Sequence, residues 1–384
     1  MRLRSALLPG LCALLACSRS YEVLELPDAG GADAGPASGA FGLSAGDAHS
    51  CAIRAGALWC WGHGSEGQVG TGTPSSAVLT PARVGDAGDW LQVSAGESHT
   101  CARKADGSVW CWGNNAAGQL GLGDAVNRAA PARVPLPRAA HFVQSRSSFS
   151  CALLDDAALW CWGANYEGQL GLGDDFPGVD QASPRPVVAD AGWKTVATGQ
   201  GHACGVRLDG SLWCWGRNTA SMLGQGADAG IQLRLPQRVG ARNDWAQLDA
   251  NQEYTCALRE DRSLWCWGNF LNGTPLLVPT QLPGTFALVS TNLFHLCALS
   301  SSGAASCWGR NLEGQLGLGD FVDRPAPVML DGGPLTDLSA GRFDTCLRRT
   351  DGSLWCAGQN GDGQLGVGDT ATHETWSAVS FEPP

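Results

Sequence analysis

The sequence predicts an all-β repeat protein of seven units, and three observations carry that prediction. The segment Cys-Ala-Arg-Lys-Ala-Asp-Gly-Ser-Val-Trp-Cys-Trp-Gly at 101–113 recurs, with variations, seven times. The first cysteines of successive copies lie 50, 50, 53, 52, 41 and 49 residues apart, a period that marks stacked or radial repeats. Gly 53 and Pro 20 among 384 residues, with only 16% charged residues, suit many short strands joined by tight turns. The repeat favours one domain over the two or three that this length would otherwise allow.

Residues 1–16 read as a signal peptide, because Arg2 and Arg4 precede an apolar run from Ala6 to Leu15. That run is too short to span a bilayer. Leu14-Leu15-Ala16-Cys17 is similar to a bacterial lipobox, which implies cleavage before Cys17 and acylation of Cys17 as the only membrane anchor. The expected location is the bacterial cell envelope, on the outer membrane or the cell surface. Residues 17–40, with Asp28 to Pro36 small and polar, read as a flexible tether. The formal charge of −11 becomes −13 without Arg2 and Arg4, and such a surface repels phosphate backbones. No nucleic-acid partner is expected.

The body occupies 41–384, with repeats near 41–89, 90–139, 140–192, 193–244, 245–285, 286–334 and 335–384. Each begins with a short strand of small residues such as Leu43-Ser44-Ala45-Gly46 or Leu338-Ser339-Ala340-Gly341, suited to the crowded axis of a propeller. The column Gly46, Gly96, Arg146, Gly199, Asn251, Asn292, Gly341 predicts left-handed backbone, with Arg146 the exception. A hairpin follows, turning at Asp106-Gly107, Asp209-Gly210 or Asp351-Gly352. The cysteines of each unit therefore face one another across antiparallel strands, at a separation a disulfide accepts. Seven disulfides are predicted: Cys51 with Cys60, Cys101 with Cys111, Cys151 with Cys161, Cys204 with Cys214, Cys256 with Cys266, Cys297 with Cys307 and Cys346 with Cys356. Their spacing leaves each pair isolated on its own hairpin, unlike the CxxC pattern of a zinc site.

Strand alternation puts both tryptophans of Trp-Cys-Trp on the face opposite the cysteine, where they are expected to pack between sheets. A loop of the form Gly118-Gln119-Leu120-Gly121-Leu122-Gly123-Asp124 comes next. An outer strand then begins near Pro81, Pro131, Pro184, Pro236, Pro279 or Pro325, since proline is tolerated on an edge. The last unit has Trp376-Ser377-Ala378-Val379 in that column, and ring closure needs little strand exchange.

Taken together, the Gly-x-x-His-[Ser/Thr]-Cys segment, the Asp-Gly hairpin, Trp-Gly and Gly-Gln-Leu-Gly-x-Gly-Asp resemble the regulator of chromosome condensation repeat family over about 340 residues. The resemblance implies a seven-bladed β-propeller of four-stranded antiparallel blades, here with one disulfide per blade. Family members include a guanine-nucleotide exchange factor that docks on nucleosomes and a plant ultraviolet-B photoreceptor. The family also resembles a secreted inhibitor of β-lactamase. Gly96-Glu97-Ser98-His99-Thr100 lacks the tryptophan of the photoreceptor motif. An exported acidic chain meets neither a cytosolic GTPase nor chromatin.

No catalytic residue, cofactor or metal is expected. Gly42-Leu43-Ser44-Ala45-Gly46 fits the nucleophile-elbow pattern without the helix that chemistry needs. Gly62 to Gly67 fits G-x-G-x-x-G in a connecting loop. His49, His99, His202 and His295 form a column, with Phe149, Tyr254 and Asp344 in the other units. Backbone hydrogen bonds, one per blade, are the expected role of the four histidines. A sialidase-like mechanism needs a tyrosine nucleophile beside an arginine cluster, and the chain after residue 16 has only Tyr21, Tyr166 and Tyr254. The expected function is that of a monomeric, non-catalytic scaffold that binds a protein or cell-envelope ligand through loops. A regulator of guanine-nucleotide exchange and a glycan-processing enzyme are the alternatives.

Positions that break the repeat are the candidates for partner contact. In blade five, Trp267 to Pro279 is 12 residues where Trp112 to Pro131 is 19. That stretch carries Phe270, Leu271, Leu276 and Leu277. Arg146 and Phe149 in blade three, Tyr254 in blade five, and Leu293 and Phe294 in blade six complete the candidate surface.

Overall fold

The computed structural model describes residues 42–381 apart from 188–190, 228–229 and 332; the signal peptide, Cys17 and the tether lie outside the described residues. Seven four-stranded antiparallel sheets follow one another along the chain. Blade one consists of β1 (Leu43–Ala45), β2 (His49–Arg54), β3 (Ala57–Gly64) and β4 (Ser75–Arg83). The other six blades repeat this inner-to-outer meander over 90–133, 140–186, 193–238, 245–285, 288–329 and 335–378. Every blade is built from four consecutive strands, so no strand is exchanged to close the ring.

The seven disulfides form as the spacing predicts. Cys51 joins Cys60, Cys101 joins Cys111, Cys151 joins Cys161 and Cys204 joins Cys214. Cys256 joins Cys266, Cys297 joins Cys307 and Cys346 joins Cys356. In each pair the two residues face one another directly across the hairpin, with Cα atoms 4.0–4.2 Å apart. All fourteen are fully buried, so they staple the blades and offer no surface to a partner.

Alternation then gives each sheet a cystine face and a tryptophan face, and the two stack in sequence around the ring. Cys51 and Cys60 of blade one lie under Trp90, Trp110 and Trp112 of blade two. Cys101 and Cys111 pack with Trp160 and Trp162, Cys151 and Cys161 with Trp193 and Trp215, and Cys204 and Cys214 with Trp245 and Trp267. Cys256 and Cys266 meet Trp308, and Cys297 and Cys307 meet Trp355 and Trp376. Cys346 and Cys356 of blade seven lie under Trp59 and Trp61 of blade one, which closes the circle. Every hydrophobic cluster is therefore shared between neighbouring blades.

The two tryptophans of each unit do different work. The second is fully buried, as at Trp61, Trp112, Trp162, Trp215 and Trp267. Its indole N–H donates to a carbonyl in the loop of the preceding blade: Trp112 to Gln68 at 2.9 Å, Trp162 to Gln119 at 2.9 Å, Trp61 to Gln364 at 2.8 Å. The first is half-buried and ties down the hairpin turn. Asp106 accepts from the Ser108 N–H and hydroxyl, and Ser108 accepts from Trp110 Nε1 at 2.9 Å. Asp209, Asp261 and Asp351 open equivalent arrangements.

The Gly-Gln-Leu-Gly loop is an inter-blade clasp rather than a variable loop. Asn115 Oδ1 accepts from Leu120 N, its Nδ2 donates to Asp124, and Gln119 Oε1 accepts from Ala117 N. The loop folds on itself and presents the Gln119 carbonyl outward. A Cβ on Gly121 would meet the Trp162 ring at 2.8 Å, so the residue that lets the ring approach must be glycine. Blade seven has Ala357 in the tryptophan column, yet Gly317 of blade six still faces an indole. That indole belongs to Trp376, which comes from the outer strand of blade seven and fills the same space.

Two sequence expectations need correction. Gly46, Gly96, Gly199 and Gly341 are not left-handed; none has positive φ. They are glycine because space is short: a Cβ on Gly96 would lie 2.7 Å from the His99 ring, and one on Gly46 would strike the carbonyl of Gly96. Asn251 and Asn292 stand in that column for their side chains, which donate to the carbonyls of Asn292 and Ala340 in the next blade. The histidines, too, do not bond to the backbone of their own blades. Each reaches a hydroxyl on the next blade.

Candidate functional site

In a meander, the first turn and the third loop of every blade emerge on one side of the ring, and the hairpin turns emerge on the other. The first side, the loop face, surrounds the mouth of the hub. Three layers of side chains build it.

The deepest layer is a ring of interblade bonds on the inner strands. The axis-facing N–H groups there have no neighbouring strand, so a buried side chain of the preceding blade accepts from them. Ser44 accepts from Ala95 N, Ser94 from Ser145 N, Ser290 from Ala340 N and Ser339 from Ala45 N, all at 2.9–3.0 Å. Blade four has Ala197 in this column and can accept nothing. Asp249 of blade five compensates with two oxygens, one taking Ala250 N at 3.0 Å and the other taking Thr291 N at 2.6 Å. Arg146 of blade three crosses the hub to this carboxylate, 3.8 Å away, and donates to the Thr291 carbonyl at 3.2 Å. Burial pushes the Asp249 carboxyl up, and Arg146 and the Thr291 bonds oppose the shift. The space left beside this pair is about 20 Å³, room for one water.

The second layer is the histidine column. His49 Nε2 lies 2.8 Å from Thr100 Oγ1, His99 2.9 Å from Ser150, His202 2.8 Å from Thr255 and His295 2.7 Å from Thr345. The hydroxyls of Thr100, Ser150 and Thr255 donate onward to the carbonyls of Gln68, Gln119 and Met222. Nε2 of His49, His99 and His202 must therefore carry the proton and donate. Burial lowers the four imidazoles to about 3 or 4 and keeps them neutral. A rule across units emerges: histidine stands where the next blade supplies a hydroxyl. Where the next blade supplies Ala203 or Leu296, the residue is Phe149 or Tyr254. Asp344 alone breaks the match, because blade one supplies Ser50.

The outer layer is what a partner could touch. Phe149 and Tyr254 are 0% exposed and belong to the packing; Tyr254 donates to the Asn292 carbonyl at 2.8 Å. Phe270 and Leu271 are half-buried and fill the space left by the missing clasp of blade five. Phe270 meets the Tyr254 ring edge at 5.2 Å, and Leu271 occupies the place beside Gly309 that a clasp glutamine takes beside Gly113. Leu276 is half-buried and Leu277 exposed on the outer strand of blade five. Leu293 and Phe294 are half-buried; Phe294 stacks on Phe343 at 5.3 Å, with the Arg310 guanidinium 4.6 Å over it and Arg342 5.2 Å over Phe343.

Further exposed apolar side chains lie at loop positions that the column reading passed over. Tyr166 and Val179 of blade three and Ile231 of blade four are exposed, Ile231 by 75%. Gln232 Nε2 bonds the Tyr166 carbonyl and holds these two blades' loops together. Leu312, Phe321 and Val322 form the equivalent exposed group on blade six. The sequence signal was available: large apolar residues sit beside the Asn and Asp of clasp loops that are otherwise polar. Among the described residues, no group of three or more His, Cys, Asp or Glu converges as a metal site.

Among solved structures, human WBSCR16 superposes with a TM-score of 0.77 at 20% identity, covering 85% of this chain and 94% of that one. Prp20p of Saccharomyces cerevisiae superposes with a TM-score of 0.76 at 21% identity, over 84% of this chain and 85% of its own. At these identities the likeness shows the fold alone. In sequence, the Ultraviolet-B receptor UVR8 of Arabidopsis thaliana is 29% identical over 308 residues, 75% of this chain and 57% of the receptor. The Probable E3 ubiquitin-protein ligase HERC6 of Homo sapiens is 33% identical over 245 residues, 62% of this chain but 19% of the ligase. The chain thus spans less than two thirds of the length of either relative. Residues 55–103, 106–152, 156–206 and 302–347 match one profile of the Regulator of chromosome condensation (RCC1) repeat, and 90–119, 193–221, 286–315 and 335–364 match a second. With more than half of its length matched and seven four-stranded blades in a ring, the chain belongs to the RCC1 repeat family.

Proposed function

We propose that this chain is an exported, lipid-anchored, non-catalytic propeller that holds another protein or a cell-envelope ligand on its loop face. The observation that carries the reading is a division of labour among the residues. The repeated cystines, tryptophans, clasps and histidines are consumed by packing, and exposed apolar side chains remain on the loops of blades two, three, four and six. Apolar groups set in a polar rim are what a protein partner buries. The cystine in every blade supports an oxidising compartment, and the Cys17 lipobox supports anchoring. Prp20p has binding properties toward Gsp1p and histones, and Kap60 has been seen bound to it. Protein binding is therefore a precedented use of this fold.

The test is crosslinked capture from native envelopes by the full chain, compared with a Tyr166→Ser, Ile231→Ser variant and with Phe270→Ala. Capture lost in the first variant and kept in the second supports the loop face of blades three and four. Equal capture by all three would sink it. Nucleotide release from candidate GTPases, measured with the same preparation, addresses the exchange-factor alternative.

A further inference from the structure

Six of the seven seams between blades are bridged by the polypeptide itself; among the described residues, the seam from blade seven to blade one is held by side chains and hydrogen bonds. At that seam the usual bonds are present. Ala45 N donates to Ser339, Ser50 Oγ to the Gln364 carbonyl at 3.0 Å, and Gly368 N to the Leu79 carbonyl at 2.9 Å. What is missing is the histidine. Asp344 occupies its column, 1% exposed, and neither carboxyl oxygen has a hydrogen-bond partner among the described residues. The shorter side chain makes no bond to Ser50, whose hydroxyl is the one that a histidine would meet.

We propose that this closing seam is a pH-operated latch, shut while Asp344 is protonated and loosened when it ionises beside Asp47. Asp47 lies at the same junction, paired with Arg342 of blade seven at 3.4 Å. Burial and Glu97 raise Asp47 to about 6, against Arg146 and Arg342. Burial, and then the Asp47 charge, hold Asp344 well above the carboxyl range. Two further charged contacts cross the seam. Arg348, flanked by Asp337 and Arg54, donates to the carbonyls of Ile53 and Gly42, and burial raises Asp337 to about 7 against Arg348. His63 Nδ1 lies 3.0 Å from Asp362, an ion pair only when the imidazole is protonated. In the opened seam Asp47, Asp337 and Asp344 are solvated and ionise near their ordinary values. The closed form thus binds more protons than the open one, and its advantage is lost as pH rises from about 4 through the native values.

The experiment is amide hydrogen exchange of the full oxidised chain at pH 5 and pH 8.5, wild type against Asp344→Asn. The readouts are the Ala45 and Gly368 amides at the closing seam and the Ser145 amide at an internal one. At pH 8.5 the variant should protect the closing-seam amides at least about tenfold better, one pKa unit of coupling being tenfold. At pH 5 the two proteins should match, and Ser145 should not differ at either pH. Equal protection at pH 8.5, or a gain of the same size at pH 5, would overturn the proposal, because a merely structural benefit does not depend on pH. If the asparagine variant fails to fold, Asp344→Phe with Ser50→Ala copies the Phe149 and Ala203 pairing, adds no titrating group and is read in the same way.

Discussion

The seam between blades one and two and the seam between blades seven and one share the serine, clasp and indole bonds and differ in the histidine column. In the first, Ser44 meets Ala95 N, Gln68 receives Trp112 and Thr100, and His49 reaches Thr100. In the second, Ser339 meets Ala45 N and Gln364 receives Trp61 and Ser50, but Asp344 reaches nothing. The consequence is opposite pH behaviour. A histidine lowered to about 3 or 4 contributes stability that is full above its unfolded value and lost as pH falls below about 6.5. A raised carboxyl loses its contribution as pH rises. One ring therefore carries four internal seams that weaken in acid and a closing seam that weakens in base. The teaching is that near-identical packing leaves room for a single residue to set how a junction responds to its surroundings.

The largest expected effect breaks either seam outright. Trp112→Ala and Trp61→Ala should each cost about 3–5 kcal/mol in chemical denaturation, and the Trp61 variant should be the more readily clipped by protease, since no peptide bridges its seam. Next comes the substitute indole of blade seven. Trp376→Ala should cost about 3 kcal/mol and Ala357→Trp about 1–3 kcal/mol. The double variant should recover part of the loss as a measurable coupling in a double-mutant cycle; strict additivity would show that the two sites do not share one space.

A smaller effect sharpens the histidine rule. His99→Phe removes the bond to the Ser150 hydroxyl, which keeps its bond to the Gln119 carbonyl, and should cost about 1–2 kcal/mol, whereas His99→Phe with Ser150→Ala copies the natural Phe149 and Ala203 pairing and should regain most of it. The same double variant should lose less stability than wild type between pH 6.5 and 4.5, by up to about 1.4 kcal/mol per pH unit, in thermal unfolding. A pH profile parallel to wild type would mean that His99 does not titrate with unfolding. Smallest of all, Ile231→Ser should change stability by less than about 0.5 kcal/mol, as expected for a side chain kept for contact rather than for packing.

Much of the fold was legible because its determinants are local. The nine- or ten-residue cysteine spacing, the Asp-Gly turn and the Trp-Cys-Trp alternation fix one hairpin, and seven copies fix seven. The roles of single positions were harder to read. The column of Gly46 and Gly96 looked like a demand for positive φ, and it is a demand for room against the next blade and the blade's own histidine. Phe270 and Leu271 looked like surface because a shortened loop leaves no trace in sequence of the void it must fill. The histidine rule was present in the columns. It becomes visible only when Ser50, Thr100, Ser150, Ala203, Thr255, Leu296 and Thr345 are set one unit out of step with the histidines.

By itself the sequence determined the number of blades, the strand pairing within each and the disulfide partners, because alternation and hairpin register act over ten or so residues. Only the tertiary structure decided which apolar loops face outward, how Trp376 replaces a missing indole, and that Asp344 meets no partner across the closing seam. Those outcomes depend on contacts between neighbouring blades. At the one seam that the chain does not cross, the neighbours come from opposite ends of the sequence, where no local pattern can pair them.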